Sequence, residues 1–153
     1  MGTDEGLIYL CTTEFASSHL QCYAAHNTPV YNIEWNSFMP SVFISSAAEW
    51  TIKIWDMDYR SASHPPTIIT TISLSLSSKP LYTYDLGAPV GDVAWAPYSS
   101  TTFAAVTTDG KIHVYDMVWD RYRPICTQSI VHRRKAKLNQ IAFNPSHPII
   151  IGK

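Results

Sequence analysis

The chain repeats itself at a fixed offset of 60 residues, and this constrains what it can fold into more than any other feature. Val30-Tyr31-Asn32-Ile33-Glu34-Trp35 aligns with Val90-Gly91-Asp92-Val93-Ala94-Trp95. The register then runs without a gap through Phe43 and Phe103, Ile52 and Ile112, to Trp55-Asp56 and Tyr115-Asp116. A third copy starts at Leu138-Asn139-Gln140-Ile141-Ala142-Phe143, with Asn144-Pro145 where Ala96-Pro97 stands. At the other end, the stretch from Asp4 to Leu10 resembles that from Thr108 to Val114. A period of a few tens of residues marks like units that bury their faces on one another. The chain is expected to begin inside the second half of one unit and to stop half a unit into another.

Within each copy the apolar residues alternate. Val30, Ile33 and Trp35 lead into a turn at Asn36 to Pro40; then come Val42-Phe43-Ile44, a turn near Glu49, and Ile52, Ile54 and Trp55 interleaved with Thr51 and Lys53. Period two over short runs predicts antiparallel strands. Asp109-Gly110 predicts a tight two-residue hairpin, since glycine tolerates positive φ. Composition agrees: 46% apolar and 15% charged residues, with ten Pro, nine Tyr and five Trp, fit neither a disordered chain nor a long helix. The fold class is all-β. Small meanders of this kind gain stability by packing around a ring, which makes antiparallel four-stranded blades of a β-propeller, about three blade-equivalents in all.

An offset of 60 exceeds the roughly 40 to 45 residues of such a repeat, so about 15 to 20 residues are inserted between Asp56 and Tyr84. Arg60 to Ser78 is rich in Ser, Thr and Pro and reads as a long loop between blades, or as a segment added by alternative splicing. Within it, Thr67 to Leu76 is uncharged, β-prone and free of Pro, the pattern of an aggregation segment if left unpaired. The expected division is residues 1–22 ending a preceding blade, 23–57 a repeat, 58–79 the insertion, 80–118 a repeat, 119–137 a connection with a basic run, and 138–153 the start of a truncated repeat.

The ending Ile52-Lys53-Ile54-Trp55-Asp56 resembles the WD-repeat family, and His26, with Ala25 before it, matches that family's Gly-His position. The resemblance implies a buried hydrogen-bonded set in which His26, Ser45 or Ser46, and Trp55 fill three places. Glu49 stands where Asp is usual, and its extra methylene is expected to break the set or shift the turn. The second copy has Gly87-Ala88 and Tyr115 in place of the His and the Trp, so both blades are expected to lean on packing more than on polar bonds. The structural WD-repeat positions are then His26, Trp35, Trp55, Asp56, Trp95, Asp109, Gly110, Tyr115 and Asp116.

A more particular likeness lies in the run from Val90 to Lys111, which resembles an axonemal dynein intermediate chain. The likeness continues in Tyr23-Ala24-Ala25-His26, Glu49 to Asp56, Tyr84-Asp85-Leu86, Phe143-Asn144-Pro145 and His147 to Ile151, leaving out about residues 57 to 79. Within the family it is most similar to the outer-arm intermediate chain 1 type. The resemblance implies an ATP-independent, non-catalytic scaffold without cofactors, at the ciliary or flagellar axoneme and in the cytoplasm and cytoskeleton. Its implied partners are the dynein heavy-chain tail, a second dynein intermediate chain and the microtubule-associated axonemal complex. The family's light-chain-binding segment lies ahead of the propeller and has no counterpart in these residues. A generic WD-repeat adaptor in another complex is the competing reading.

Other functions find little support. Met1-Gly2-Thr3-Asp4-Glu5 is no secretory signal, and no run reaches the roughly 18 apolar residues of a membrane span, so the chain reads as soluble and intracellular. Cys11, Cys22 and Cys126 form no disulfide framework. Cys11, His19, Cys22 and His26 match no zinc spacing, which argues against an enzyme or zinc protein centred there. There is no phosphate-binding loop. Asp92 and Asp109 resemble a carboxylate pair, yet Asp109 has its turn to make. The formal charge of −1 excludes a whole-chain field for nucleic acid or an anionic membrane. His132-Arg133-Arg134-Lys135-Ala136-Lys137 is the basic cluster, read as a solvated loop or, through Arg133, Arg134 and Lys135, as a contact for an acidic surface. Trp35, Trp55 and Trp95 hold equivalent repeat positions and are expected in the core. Trp50 and Trp119 break the pattern and are candidate interface anchors, Trp50 first.

Overall fold

The computed structural model describes residues 1–14, 19–58, 79–130 and 137–147, and the backbone of 150–152. These carry twelve strands and no helix, in four antiparallel sheets. β1 (Leu7–Cys11) and β2 (His19–Ala24) form a two-stranded sheet. β3 (Val30–Trp35), β4 (Val42–Ala47), β5 (Thr51–Asp56) and β6 (Tyr82–Asp85) form a four-stranded sheet in chain order. β7 (Val90–Trp95), β8 (Thr102–Thr107), β9 (Lys111–Asp116) and β10 (Cys126–Ser129) form a second with the same order. β11 (Ile141–Phe143) pairs with β12 (Ile150–Gly152). The repeat holds in detail, since the β3–β4 and β7–β8 ladders shift register at the same point, Val30/Asn32 and Val90/Asp92.

Three apolar layers join the sheets. Ile8, Tyr23 and Ala25 meet Phe43 and Trp55 between the first sheet and the second. Ile44, Ile54 and Tyr84 meet Val93, Trp95 and Tyr115 between the two four-stranded sheets. Ala104, Val106 and Ile112 meet Leu138 and Ile141 beyond them. Each second strand is covered on both faces, and every residue of β4 is buried. This explains why β4 and β8 turn to small residues, Ser45-Ser46-Ala47 and Ala104-Ala105: alternation gives way where a strand has no solvent side.

Four expectations need correction. The hairpin at Asp109-Gly110 is not a two-residue turn: three residues separate β8 from β9, as they do β4 from β5, and Gly110 N donates to Thr107 O at 3.0 Å. Only the last loop residue has positive φ, as in a type I turn followed by a left-handed residue. The 58–79 stretch does not divide blades, because β6, which follows it, pairs with β5 in the same sheet (Thr51 with Asp85, Ile52 with Tyr84); residues 59–78 themselves lie outside the described residues. Trp35 is not core. It is 44% exposed against 4% for Trp95. Each ring meets the equivalent Phe of its own sheet edge-on, Phe43 at 5.2 Å and Phe103 at 5.6 Å, but Trp95 also lies against a full four-stranded sheet, whereas the sheet before Trp35 has two strands. The fourth concerns Glu49.

Candidate functional site

The densest polar arrangement is built where the turn after β2 meets the β4–β5 hairpin. His26 Nε2 lies 2.8 Å from Ser45 Oγ, and Trp55 Nε1 donates to the same Oγ at 3.0 Å. His26 Nδ1 lies 2.8 Å from Glu49 Oε1. The set resembled in the sequence is therefore complete, and Glu49 holds it together where breakage was expected. Its longer side chain reaches both ways: Oε1 accepts from Thr51 Oγ1 at 2.7 Å and Lys53 Nζ at 3.2 Å, and Oε2 accepts from the Asn27 backbone at 2.8 Å. Lys53 Nζ also donates to Ala25 O at 2.5 Å, closing the loop onto the previous strand. The first blade thus has a polar network as well as packing.

Electrostatics follow from this geometry. Burial pushes the Glu49 carboxyl upward, but hydrogen bonds from Asn27, Thr51, His26 and Lys53 outweigh it and hold the group at about 2. Burial lowers the His26 pKa, with the Glu49 hydrogen bond pulling against it, which favours the neutral imidazole. With Nδ1–H donating to Glu49, Nε2 accepts from the Ser45 hydroxyl. A serine, histidine and carboxylate in line have the form of a nucleophile relay. Here Ser45 has no exposed surface, and its oxygen already accepts from Trp55, so the chain of bonds is a clamp across β2, β4 and β5.

The second blade replaces this clamp. Ala105 stands 60 residues after Ser45 and Leu86, rather than Gly87-Ala88, stands 60 after His26, and Asp109 bonds within its own hairpin. Asp109 accepts from Thr107 Oγ1, and its Oδ2 accepts from Lys111 Nζ at 2.5 Å. Burial raises its carboxyl, but these bonds win and keep it below the usual range. Tyr115, in the place of Trp55, stacks on Phe103 with centroids 4.9 Å apart. Asp56 and Asp116 share one role: each Oδ1 accepts the N–H two residues on, Asp58 and Val118, both at 3.0 Å.

A second set, which the sequence reading did not single out, stitches the inner edges. Asn32 Nδ2 donates to Asp92 Oδ1 at 2.6 Å and to Val93 O at 2.9 Å, and Asp92 Oδ2 accepts from Ile141 N at 3.1 Å. Glu34 Oε2 accepts from Trp95 N at 2.8 Å. β7 and β11 each end a sheet, so their outer N–H groups lack strand partners, and the preceding sheet's carboxylate supplies one: Glu34 for Trp95 and Asp92 for Ile141. Asp92 is thus paired with a seam, not with Asp109. The signal was legible: Asn32 and Asp92 are polar at equivalent positions in apolar strands.

Cys11 lies opposite His19 and Cys22 opposite Tyr9 in the β1–β2 ladder. His26, whose two ring nitrogens are taken, does not join them. Among the described residues no group of three or more His, Cys, Asp or Glu is placed to hold a metal ion. Trp50 is 48% exposed on its hairpin and Trp119 is 85% exposed after β9. Arg133, Arg134 and Lys135 lie outside the described residues.

Residues 17–56 match the WD domain, G-beta repeat. Over 151 residues, 99% of this chain, the sequence is 46% identical to a protein named dynein intermediate chain 2, ciliary, of Heliocidaris crassispina. It is 35% identical over 99% of its length to the 78 kDa dynein intermediate chain of the Chlamydomonas reinhardtii flagellar outer arm, and 45% identical to dynein axonemal intermediate chain 1 of Bos taurus, again over 99%. Over nearly its whole length the chain is similar to dynein intermediate chains. It spans about a fifth of the length of these relatives, 19%, 20% and 19%. A chain in the crystal structure of the mitotic checkpoint complex superposes on 99% of it with a TM-score of 0.74, over 41% of that chain and at 20% identity. That likeness establishes the fold alone, a WD-repeat β-propeller arc.

Proposed function

We propose that this chain acts as a non-catalytic scaffold of an outer dynein arm, its propeller gripping the heavy-chain tail beside a second intermediate chain. In this reading it supports arm assembly and motility at the ciliary or flagellar axoneme. The observation that carries the reading is the 35–46% identity to ciliary, flagellar outer-arm and axonemal intermediate chains over 99% of the chain. The chemistry is compatible: each polar constellation described above is consumed in joining strands or sheets. Trp50, half-exposed on the β4–β5 hairpin, is the anchor we assign to the heavy-chain contact, with Arg133, Arg134 and Lys135 steering association.

The test is affinity capture of the tagged chain, in its native protein, from a high-salt extract of axonemes. Heavy chain is expected in the eluate at a stoichiometric ratio. A chain recovered without heavy chain would overturn the scaffold reading.

A further inference from the structure

The nine residues after β9 are the most exposed apolar surface of the second blade. Val118 is 80% exposed, Trp119 85% and Tyr122 81%. This exposure does not come from slack chain. Asp116 Oδ1 accepts from Val118 N and from Thr101 Oγ1, both at 3.0 Å, and Asp120 N donates to Asp116 O at 3.0 Å. Asp120 Oδ1 accepts from Tyr122 N at 2.9 Å and Arg123 N at 3.2 Å, and Ile125 N returns to Val114 O at 2.8 Å. The loop is a pinned scaffold that holds two aromatic rings out in water.

The same bonds decide its charge. Asp116 and Asp120 spend their carboxylates on backbone and hydroxyl donors at the loop's base. Arg121 and Arg123 are exposed, and among the described residues neither has an ion-pair partner. Tryptophan, tyrosine and arginine are the residues that dominate interface energetics, and here they sit together on a rigid loop, so little ordering entropy remains to be lost on binding. Two free guanidinium groups beside two rings favour an anionic partner with apolar side chains.

We propose that the loop 117–125 is a docking site for an acidic segment of a partner protein, with Trp119 and Tyr122 covering its apolar residues and Arg121 and Arg123 its carboxylates. Single-stranded nucleic acid, which also offers anions and stacking faces, is the competing occupant that the test separates. The proposal is independent of which complex the chain serves.

The probe is a short labelled peptide of glutamates with two central leucines, titrated against the full chain at low salt by fluorescence anisotropy, beside its glutamine twin and an oligouridylate. The acidic peptide is expected to bind and the twin not to. R121S/R123S and, separately, W119S/Y122S are each expected to weaken binding by about tenfold or more. These side chains are outside the core, so thermal midpoints should stay unchanged, while R133S/R134S/K135S keeps most of the affinity. Absence of binding, binding untouched by the two loop variants, affinity carried by residues 133–135, or tighter binding of the oligouridylate would each overturn the proposal.

Discussion

Trp50 adopts the left-handed backbone conformation, φ 72°, that its counterpart 60 residues on, Gly110, adopts at φ 85°. The hairpin geometry is the same in both blades; only the second copy has the residue suited to it. A side chain in that region costs roughly 1–2 kcal/mol, against about 0.5–1 kcal/mol of extra chain entropy lost by glycine. Replacing Trp50 by Ala or by Gly removes the same ring, so the pair isolates the backbone. Trp50→Gly is expected to be more stable than Trp50→Ala by ~0.5–1 kcal/mol, the reverse of the order at an ordinary strand position. Urea midpoints of the two variants check this.

The clamp at His26 makes stability depend on acid. The Glu49 carboxyl is held at about 2, below its ordinary 4.5, so its contribution is complete above 4.5 and is lost as pH falls toward 2. His26 is also lowered, from 6.5, so its contribution is complete above 6.5 and declines as pH falls through the folded value. Both act in one direction, with at most about 3 kcal/mol from Glu49. Urea unfolding from pH 7 to pH 3 should show a steady loss of stability, and Glu49→Gln should flatten the part below pH 4.5. A slope unchanged in the variant would remove Glu49 from the network.

Ser45 anchors two donors at once. Ser45→Ala would leave Trp55 Nε1 without its acceptor and His26 Nε2 without its donor in a buried site, at about 1–3 kcal/mol for each group left unmet. The second blade has Ala105 at this place and lives without the clamp, so Ala105→Ser should bring no comparable gain. Calorimetric melting of both variants measures the contrast.

Much of the architecture was legible because a period of 60 and alternation of two are carried by the side chains themselves: the strands, the two matching sheets and the family set at His26, Ser45 and Trp55. What the sequence could not carry was the surroundings of a side chain. Trp35 and Trp95 look identical in register, and their burial differs because the sheets before them have different numbers of strands. Glu49 looked like a defect because spacing says nothing of reach; the extra methylene is what lets one carboxylate meet Thr51, Lys53, His26 and the Asn27 backbone. The place of the 58–79 stretch within a blade depends on the β5–β6 pairing across it, which no local pattern states.

The two tryptophans give the sharpest stability contrast. Trp95→Ala is expected to cost about 3–5 kcal/mol, as for a large core residue, and Trp35→Ala less than half of that. Equal losses in chemical denaturation would mean that Trp35 is covered in solution.

The seam between blades rests on Asp92. Asp92→Ala would remove one of the two acceptors of the Asn32 amide and the acceptor of the Ile141 N–H, at about 1–3 kcal/mol, and a double-mutant cycle with Asn32→Ala should return a coupling of roughly 0.5–3 kcal/mol. Additive losses would show that the two residues do not share the bond.

The central claim is that these blades are part of an outer dynein arm. Cross-linking mass spectrometry on outer arms isolated from axonemes tests it most directly, through Lys53, Lys79, Lys111 and Lys137 of this chain. The predicted result is cross-links from these lysines to the dynein heavy chain and to a second intermediate chain. Isolated arms that lack the chain, or cross-links confined to proteins outside the arm, would contradict it.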